Sequence, residues 1–316
     1  MSISHQDRLR LRHLRLLELI EQHGSLRSVA DVLNLSQPAI SQMLKDLELA
    51  FGTQLVERSV RGVELNAAGR TALLRSRPCL SFVRQLGEEL ESPEQPVLRV
   101  GANPAVMLHV IPQAIRRMFE TGPRMRFRFR AGLVAEMVEA LVAGDIDCYV
   151  GRVDWSRISR EAAGMLVCSR LSVAELSVAC AADHPLTRKD RVTPQDLLTY
   201  PWASAAGGSS NWAEVQLRFR ELGLKPPAAE IESDLLGLLG IAAATDFLTC
   251  APISAIRHPM SAKTLTALHV PGFELQPAQT EFVSLLPPER LTPMHRLLEA
   301  LRAEQDNGES GFTRIA

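Results

Sequence analysis

Gln37, Pro38, Ser41, Gln42 and Lys45 fall on one arc when residues are placed on a helix at about 100° each. Most of these side chains donate or accept hydrogen bonds, and one carries a positive charge. Such a set can read nucleic acid: Gln pairs with adenine, while Ser and Lys take base edges or phosphates. The same spacing also fits the solvated face of a plain three-helix bundle, so the arc alone does not decide. A second basic feature follows at Arg58-Ser59-Val60-Arg61-Gly62, a turn between two short apolar-bearing stretches. It reads as a β-wing, with Arg61 near a tip suited to a minor groove.

Other chemistry is poorly provided for. GANPAV after the first strand of the C-terminal part is not the GxGxxG of a dinucleotide-binding enzyme, and GxSxG, HExxH and P-loop patterns are absent. His109, His184 and His269 are dispersed, without nucleophile or metal spacing. The five cysteines, at 79, 148, 168, 180 and 250, contain no CxxC pair. They read as reduced thiols buried as small hydrophobes, with a redox-sensing thiol as the alternative. The expectation is no catalytic residue, no metal and no cofactor. An enzyme of Rossmann type, or a solute-binding sensor fused to a DNA-binding domain, remains the competing reading.

The polar arc needs a scaffold, and the flanking residues supply one. Leu11, Leu14, Leu17 and Ile20 recur at helical spacing, and His23-Gly24 ends that run. Ser25 is suited to cap a second helix carrying Leu26, Val29, Ala30 and Leu33. After a tight turn at Asn34-Leu35, Ser36 caps the third helix, with Pro38 in the first turn, where a missing N–H costs nothing. Ile40, Leu44 and Leu47 form its buried stripe, opposite the polar arc. Residues 66–92 then read as one long helix, with Leu73, Leu80, Val83 and Leu90 as a narrow apolar seam seeking a partner helix. Pro78 is expected to interrupt and kink it, and Ser92-Pro93-Glu94-Gln95-Pro96 to be a stiff linker.

Charge is distributed to match. The 316-residue chain has a formal net charge of −1, yet Met1–Gly87 carries 12 Arg or Lys against 8 Asp or Glu, an excess of 12 − 8 = 4. A modestly basic first domain on a neutral chain suits a DNA-binding module joined to something that does not touch DNA. The sequence opens without an apolar signal segment and holds no run approaching a membrane span, so a cytoplasmic protein with no membrane partner is expected.

From Val97 onward strand-like and helix-like segments alternate. Strands are expected at 97–101, 126–129 and 148–151, with helices at 110–119 and 137–143. The pattern repeats from Leu171, with helices at 211–222 and 235–243 and strands near 229–232 and 247–250. This rhythm argues mostly parallel sheets in two lobes, as in periplasmic-binding-protein-like sensors.

GSLRSVADVLNLSQPAISQMLKDLELAFGTQLVERSVRGVELNAAGR resembles the N-terminal signature of LysR-type transcriptional regulators along its whole length. LRVGANP, LVAGDIDCYVGR and DHPL resemble landmarks of that family's effector domain. AGLVAEMVEALVAGDIDCYVGR and YPWASAAGGSSNW are similar to the subgroup around galactose-binding-protein regulators. Departures from the family pattern are Gln42 where Arg is common, Asn66 where Thr is usual, Pro78 within the linker helix, and Asp246 where a glycine-rich turn is frequent.

The resemblance implies an α/β protein: an all-α winged helix-turn-helix at 1–65, a dimerising linker helix at 66–95 and a two-lobed effector domain at 96–305. Lobe I would hold about 96–168 and 275–305, lobe II about 169–274, and 306–316 would be a tail. DNA contacts carried over from the family fall on Ser36, Gln37, Pro38, Ser41 and Lys45, with Arg58 or Arg61 in the wing; Gln42 shares their arc.

Ligands in such domains sit where helices follow parallel strands and offer free N–H groups. That selects Asn103, Pro104, Ala105, Leu133, Val134 and Arg152 in lobe I, and Ser209, Ser210, Asn211 and Ser233 in lobe II. Arg152 reads either as the counter-charge of an acidic effector or as a salt-bridging Arg at a domain edge. Gly207-Gly208 reads as a ligand-approaching turn or a flexible loop. Implied partners are double-stranded DNA at a promoter inverted repeat, a small effector (a sugar, sugar acid or aromatic acid), RNA polymerase, and further copies of the chain as a dimer or tetramer.

Overall fold

The computed structural model describes residues 6, 9–59, 62–91, 97–205, 209–306 and 312–313. They form two compact units. The first begins with α1 (Leu11–His23), α2 (Leu26–Leu33) and α3 (Gln37–Phe51), then a hairpin of β1 (Val56–Ser59) and β2 (Gly62–Leu65), then α4 (Ala67–Glu91). The caps are those the sequence suggests. Ser25 accepts from the Ser28 N–H, and Ser36 from the Ala39 N–H. Between α2 and α3, Asn34 takes the left-handed conformation (φ 52°), which Asn tolerates better than bulkier residues. Leu16, Leu17, Ile20, Val29, Ile40, Leu44, Leu47, Leu55 and Leu65 close one core.

The start of α4 is fastened to that core. Asn66 accepts from the Gly69 N–H at 2.8 Å and donates to the Gln54 carbonyl at 3.0 Å, so this departure from the family pattern is a working N-cap. Gly69 is packed so closely that an added Cβ would lie 2.0 Å from the Leu55 carbonyl oxygen.

Two expectations for α4 need correcting. The helix runs through Pro78 from Ala67 to Glu91 without interruption. Pro78 is itself buried, so tertiary packing compensates for the one backbone bond it removes. Leu73 does not belong to a seam awaiting a partner; it is 4% exposed and completes the first unit's core, while Leu80 is half-buried. The exposed apolar stripe runs instead through Cys79, Val83, Leu86 and Leu90, with Leu90 71% exposed.

The second unit is built on two sheets. Its elements are β3 (Val97–Ala102), α5 (Pro104–Thr121), β4 (Arg126–Ala131), α6 (Val134–Ala143), β5 (Cys148–Gly151), α7 (Arg160–Ala163), β6 (Val167–Ala174), β7 (Leu176–Ala181), α8 (Pro194–Leu197) and β8 (Trp202–Ala205). They continue with α9 (Ser210–Glu221), β9 (Ala229–Ser233), α10 (Leu235–Ala244), β10 (Leu248–Pro252), α11 (Ile253–Ile256), β11 (Leu265–Leu268), β12 (Ala278–Ser284), α12 (Thr292–Asp306) and β13 (Phe312–Thr313). The C-terminal half of α6 and all of α7 pack with the first unit. One sheet has the order β13-β6-β12-β5-β3-β4, the other β11-β7-β10-β8-β9.

The sheets are mixed rather than mostly parallel. β3 pairs in parallel with β4 and β5, as β8 does with β9 and β10, but β6, β7, β11, β12 and β13 pair antiparallel. The sequence reading lacked β8, β11 and β12, and it divided the lobes at 168/169. β6 pairs with β12 as far as Ala174, so the chain leaves the six-stranded sheet at Glu175. α5 begins at Pro104, earlier than expected, because Asn103 caps it by accepting from the Val106 N–H at 2.8 Å.

The close approach at Gly69 gives the first expected outcome. Gly69→Ala should destabilise the N-terminal unit by about 1–3 kcal/mol, because backbone must shift to admit the methyl group. Urea unfolding followed by circular dichroism checks it; an unchanged midpoint would remove the close contact with Leu55.

Candidate nucleic-acid interface and ligand cleft

On α3 the core stripe of Ile40, Met43, Leu44, Leu47 and Ala50 is buried, which turns the polar arc outward. Gln37, Pro38, Gln42 and Lys45 are exposed, Ser41 is half-buried, and Ser36 is exposed at the helix entry. The structure therefore brings all six together at one end and one face of the helix. The face is partly self-bonded: the Gln37 amide donates to the Ser41 hydroxyl at 3.5 Å, and the Gln42 amide to Asp46 at 2.8 Å. Gln42, standing where a cation is common, is thus turned toward a carboxylate on its own helix.

The hairpin pairs Val56 with Leu65 and Ser59 with Gly62. Arg58 is exposed on it. Arg61 lies outside the described residues. The Leu55 N–H donates to Glu48 at 2.9 Å, fixing the base of the wing to α3. Orientation of the reading helix and of the wing is therefore one property, not two.

In the second unit every lobe residue selected from the sequence lies at the carboxyl end of a parallel strand or at the helix that follows. Asn103 and Pro104 follow β3, Leu133 and Val134 follow β4, and Arg152 follows β5. Ser209 caps α9 by accepting from the Asn211 N–H, and Ser233 ends β9. The Ser233 hydroxyl covers the first turn of α10, where Asp234 is the cap. Gly207-Gly208 lies outside the described residues. Leu133 is 43% exposed, whereas Ala105 and Val134 are half-buried.

Arg152 stands apart from the others. Its Nη1 is buried and has no hydrogen-bond partner among the described residues. Its charge acts on Asp154 and, from the other sheet, on Cys250 in β10; burial pushes that thiol up to about 12 while Arg152 opposes the shift. Arg99 on β3, by contrast, pairs with Asp147 while both side chains are under 10% exposed. Tyr149 donates to the Arg152 carbonyl at 3.1 Å, holding the loop after β5.

Sequence reasoning missed Ser254 on α11, whose hydroxyl is buried and unpartnered among the described residues. A strand at 247–250 followed by a short helix was the available signal. No group of three or more His, Cys, Asp or Glu able to hold a metal occurs among the described residues.

Family models match both parts of the chain. Residues 11–70 match "Bacterial regulatory helix-turn-helix protein, lysR family", and residues 91–306 match "LysR substrate binding domain". The chain belongs to the LysR family. It is a DNA-binding transcriptional regulator with an effector-binding domain. GbpR of Azospirillum brasilense is 29% identical over 307 residues, covering 95% of this chain and 87% of that one. Full-length BenM shares the fold at 23% identity and a TM-score of 0.54, covering 97% of this chain and 99% of BenM. Full-length CbnR in complex with its target DNA does so at 21% and 0.51, covering 93% and 99%.

The family's departures in the sensor also have physical content. Asp246, in place of a glycine-rich turn, offers its carbonyl to His184 Nε2 at 3.2 Å, while His184 Nδ1 accepts from the Leu186 N–H. His184 is 2% exposed and structural. His109 on α5 meets His258 edge-on, ring centres 6.3 Å apart.

Burial, then the neighbouring His258, lowers the His109 imidazole below its usual 6.5; burial likewise lowers His13 in the first unit. A folded value below the unfolded one means the unfolded chain takes up protons first. These groups therefore favour folding fully only above the unfolded value, and lose that contribution as pH falls through the lower folded values. Unfolding free energy measured in urea should fall between pH 7.5 and pH 5.5, and His109→Leu should flatten that slope. An identical slope in the variant would show that His109 is not a source of it.

Proposed function

We propose that residues 1–65 read an operator half-site through Gln37, Ser41, Gln42 and Lys45, with Ser36 and Pro38 at the helix entry and Arg58 and Arg61 flanking in the wing. On this reading residues 66–95 join copies of the chain, and residues 96–305 bind the effector. The observation that carries it is the single exposed polar face of α3, set opposite a fully buried stripe and tied to the wing through Glu48. The likeness to CbnR, solved on its target DNA, supports the same use of the fold. Gln37 and Ser41 supply sequence discrimination, and Lys45 and the wing arginines supply phosphate attraction.

The effector is an acid rather than a neutral sugar. An Arg with a buried, unpartnered nitrogen at the meeting of two sheets calls for an anionic group, since leaving a buried donor unmatched costs about 1–3 kcal/mol. Asn103, Pro104, Ala105, Leu133 and Val134 line the same end of lobe I, and Ser209, Ser210, Asn211 and Ser233 that of lobe II.

Assembly is supported by three exposed surfaces. The stripe of Cys79, Val83, Leu86 and Leu90 on α4 has coiled-coil spacing. The outer strands of the two sheets differ in charge: Arg126 and Arg130 are exposed on β4, Glu230 and Glu232 on β9. α10 is apolar nearly all round yet leaves Leu236 59% exposed. Two such contacts per chain generate a tetramer from dimers. No helix among the described residues is long and apolar enough to cross a membrane. The proposed setting is the cytoplasm, with the regulator acting on RNA polymerase at the promoter and without catalysis of its own.

Gel-shift titration tests the reading face. Gln37→Ala and Ser41→Ala should each lose about 1–3 kcal/mol of discrimination between operator and scrambled duplex, while Lys45→Ala weakens both alike. Unchanged discrimination in the first two would refute the assignment. Thermal-shift comparison of sugar acids and aromatic acids with their neutral counterparts tests the cleft. An acid should stabilise the protein by about 3 kcal/mol at a hundredfold excess over its dissociation constant, and Arg152→Met should abolish that gain. Stabilisation by neutral sugars alone would overturn the acid assignment.

Light scattering tests assembly. The mass should lie near four chains and drop on Leu90→Asp. A monomer at micromolar concentration contradicts it.

A further inference from the structure

α6 starts beside the proposed effector contacts Leu133 and Val134 and ends ten residues later at Gly144. That end is unusual in what holds it. Gly144 sits at φ +76°, its N–H bonded to Leu141, and its carbonyl is aimed at α4. Two side chains of α4 donate to that one oxygen: the Ser81 hydroxyl, and the Gln85 amide at 2.8 Å. Both are almost wholly buried, Ser81 at 4% and Gln85 at 7% exposure. Pro78 completes the contact, since a Cβ at position 144 would lie 3.1 Å from its Cα and 2.8 Å from Ser81 Cβ. At the rim, Arg84 donates to the Ser81 hydroxyl and to Asp145, each at 3.0 Å.

Pro78, Ser81 and Gln85 are three, then four, residues apart, so they share one face of α4, distinct from the exposed stripe of Cys79, Val83, Leu86 and Leu90. A helix that served only to pair with another copy would have no use for a second face that buries a serine and a glutamine. Buried polar side chains of this kind fix one geometry: satisfied they specify it, and displaced they leave unmatched donors. The turn admits no side chain at position 144, so the two helices meet there in a single register.

We propose that the contact of Pro78, Ser81 and Gln85 with the Gly144 turn is the coupling joint of the regulator, through which α6 passes the state of the effector loop to the linker helix. α6 is the lever. Its first turn belongs to the loop that meets the ligand, and its last turn grips α4, whose other end is fastened to the reading domain through Asn66 and Gly69. A shift of α6 along or about its axis on ligand binding must then turn α4 or break the hydrogen bonds at Gly144. The joint rests on the reading that Leu133 and Val134 border the ligand, but its test needs no ligand, because coupling is reciprocal: loosening the joint must be felt at the loop.

Hydrogen–deuterium exchange on the full-length chain gives that test. Gln85→Met keeps the shape of the side chain and removes the donor; Gly144→Ala disturbs the same joint from its other side. Each should speed exchange about tenfold in 140–146 and, as the decisive result, in 131–137 also, while the strands of both sheets stay protected. Arg84→Ala, which removes the rim contacts to Asp145 and the Ser81 hydroxyl but leaves both donors to the Gly144 carbonyl in place, should leave both segments near wild type. Faster exchange confined to 140–146 overturns the proposal, for the contact is then local packing. A uniform rise across the chain overturns it too, for the contact then holds the fold and not a signal. Either result leaves the Arg152 reading untouched, because acid binding is scored separately by thermal shift.

Discussion

A helix of twenty-five residues offers more surface than its own unit can cover, and α4 divides that surface into three. Its first turns complete the core of the reading domain through Leu73 and the close approach of Gly69 to Leu55. Its middle presents Pro78, Ser81 and Gln85 to the Gly144 turn. Its remaining face is apolar and exposed, and is the one proposed to meet another copy of the chain. Each face uses residues the others cannot. Leucine on the Gly144 side would strand a carbonyl, and serine on the exposed side would weaken pairing. The order of residue types along α4 is the record of those three demands, and it explains how a proline can lie inside the helix, packed where its lost hydrogen bond is compensated.

The reading face shows the opposite economy. α3 has a dense buried stripe, but its outward side chains bond only loosely to one another, at 3.5 Å between Gln37 and Ser41. Those bonds are easily exchanged for bonds to base edges, since a typical exposed pair contributes little against water. Gln42 is held more firmly by Asp46 at 2.8 Å, and a carboxylate there repels phosphate. Position 42 therefore differs in kind from its neighbours: it must give up a charge-assisted bond before touching DNA. On the proposed reading, sequence preference rests on Gln37 and Ser41, with Gln42 contributing selectivity against duplexes that bring a phosphate close to Asp46.

Much of this was legible in the sequence because it is local. The caps at Ser25, Ser36 and Asn103, the left-handed Asn34 and the stripe of α3 each depend on residues within a few positions, and spacing alone reveals them. The strand-end positions of Arg152 and Ser233 follow from the alternation of strand and helix, and Ser209 is legible as a helix cap. What was not legible is non-local. Leu73 and Leu80 share the apolar spacing of Val83 and Leu90, and only the fold decides that Leu73 is taken by the reading domain's own core. β12 carries no alternation that separates it from a loop, because inside a mixed sheet both of its faces are covered. The lobe boundary was placed early for a related reason: β6 continues the six-stranded sheet through pairing with a strand about a hundred residues away. Ser81 and Gln85 read as ordinary polar helix residues until Gly144 is seen opposite them.

Two arginines, Arg99 on β3 and Arg152 just after β5, show how a candidate site can be told from the scaffold. Arg99 and Arg152 are both largely withdrawn from water, and each carries a full charge whose desolvation must be offset. Arg99 has its answer within the fold, with Asp147 accepting from its backbone N–H at 2.7 Å and facing its guanidinium. A partnered buried charge fixes geometry and leaves little to bind. Arg152 has no such partner at Nη1, and its near neighbour Asp154 is engaged elsewhere, accepting from Ser156 and pairing with Arg157. The Tyr149 hydroxyl donates to its backbone carbonyl and fixes its main chain at the end of β5. On the proposed reading, the unmatched Nη1 of Arg152 is a donor that an entering anion would satisfy, and the free energy of that hydrogen bond, absent from the fold itself, would go to binding.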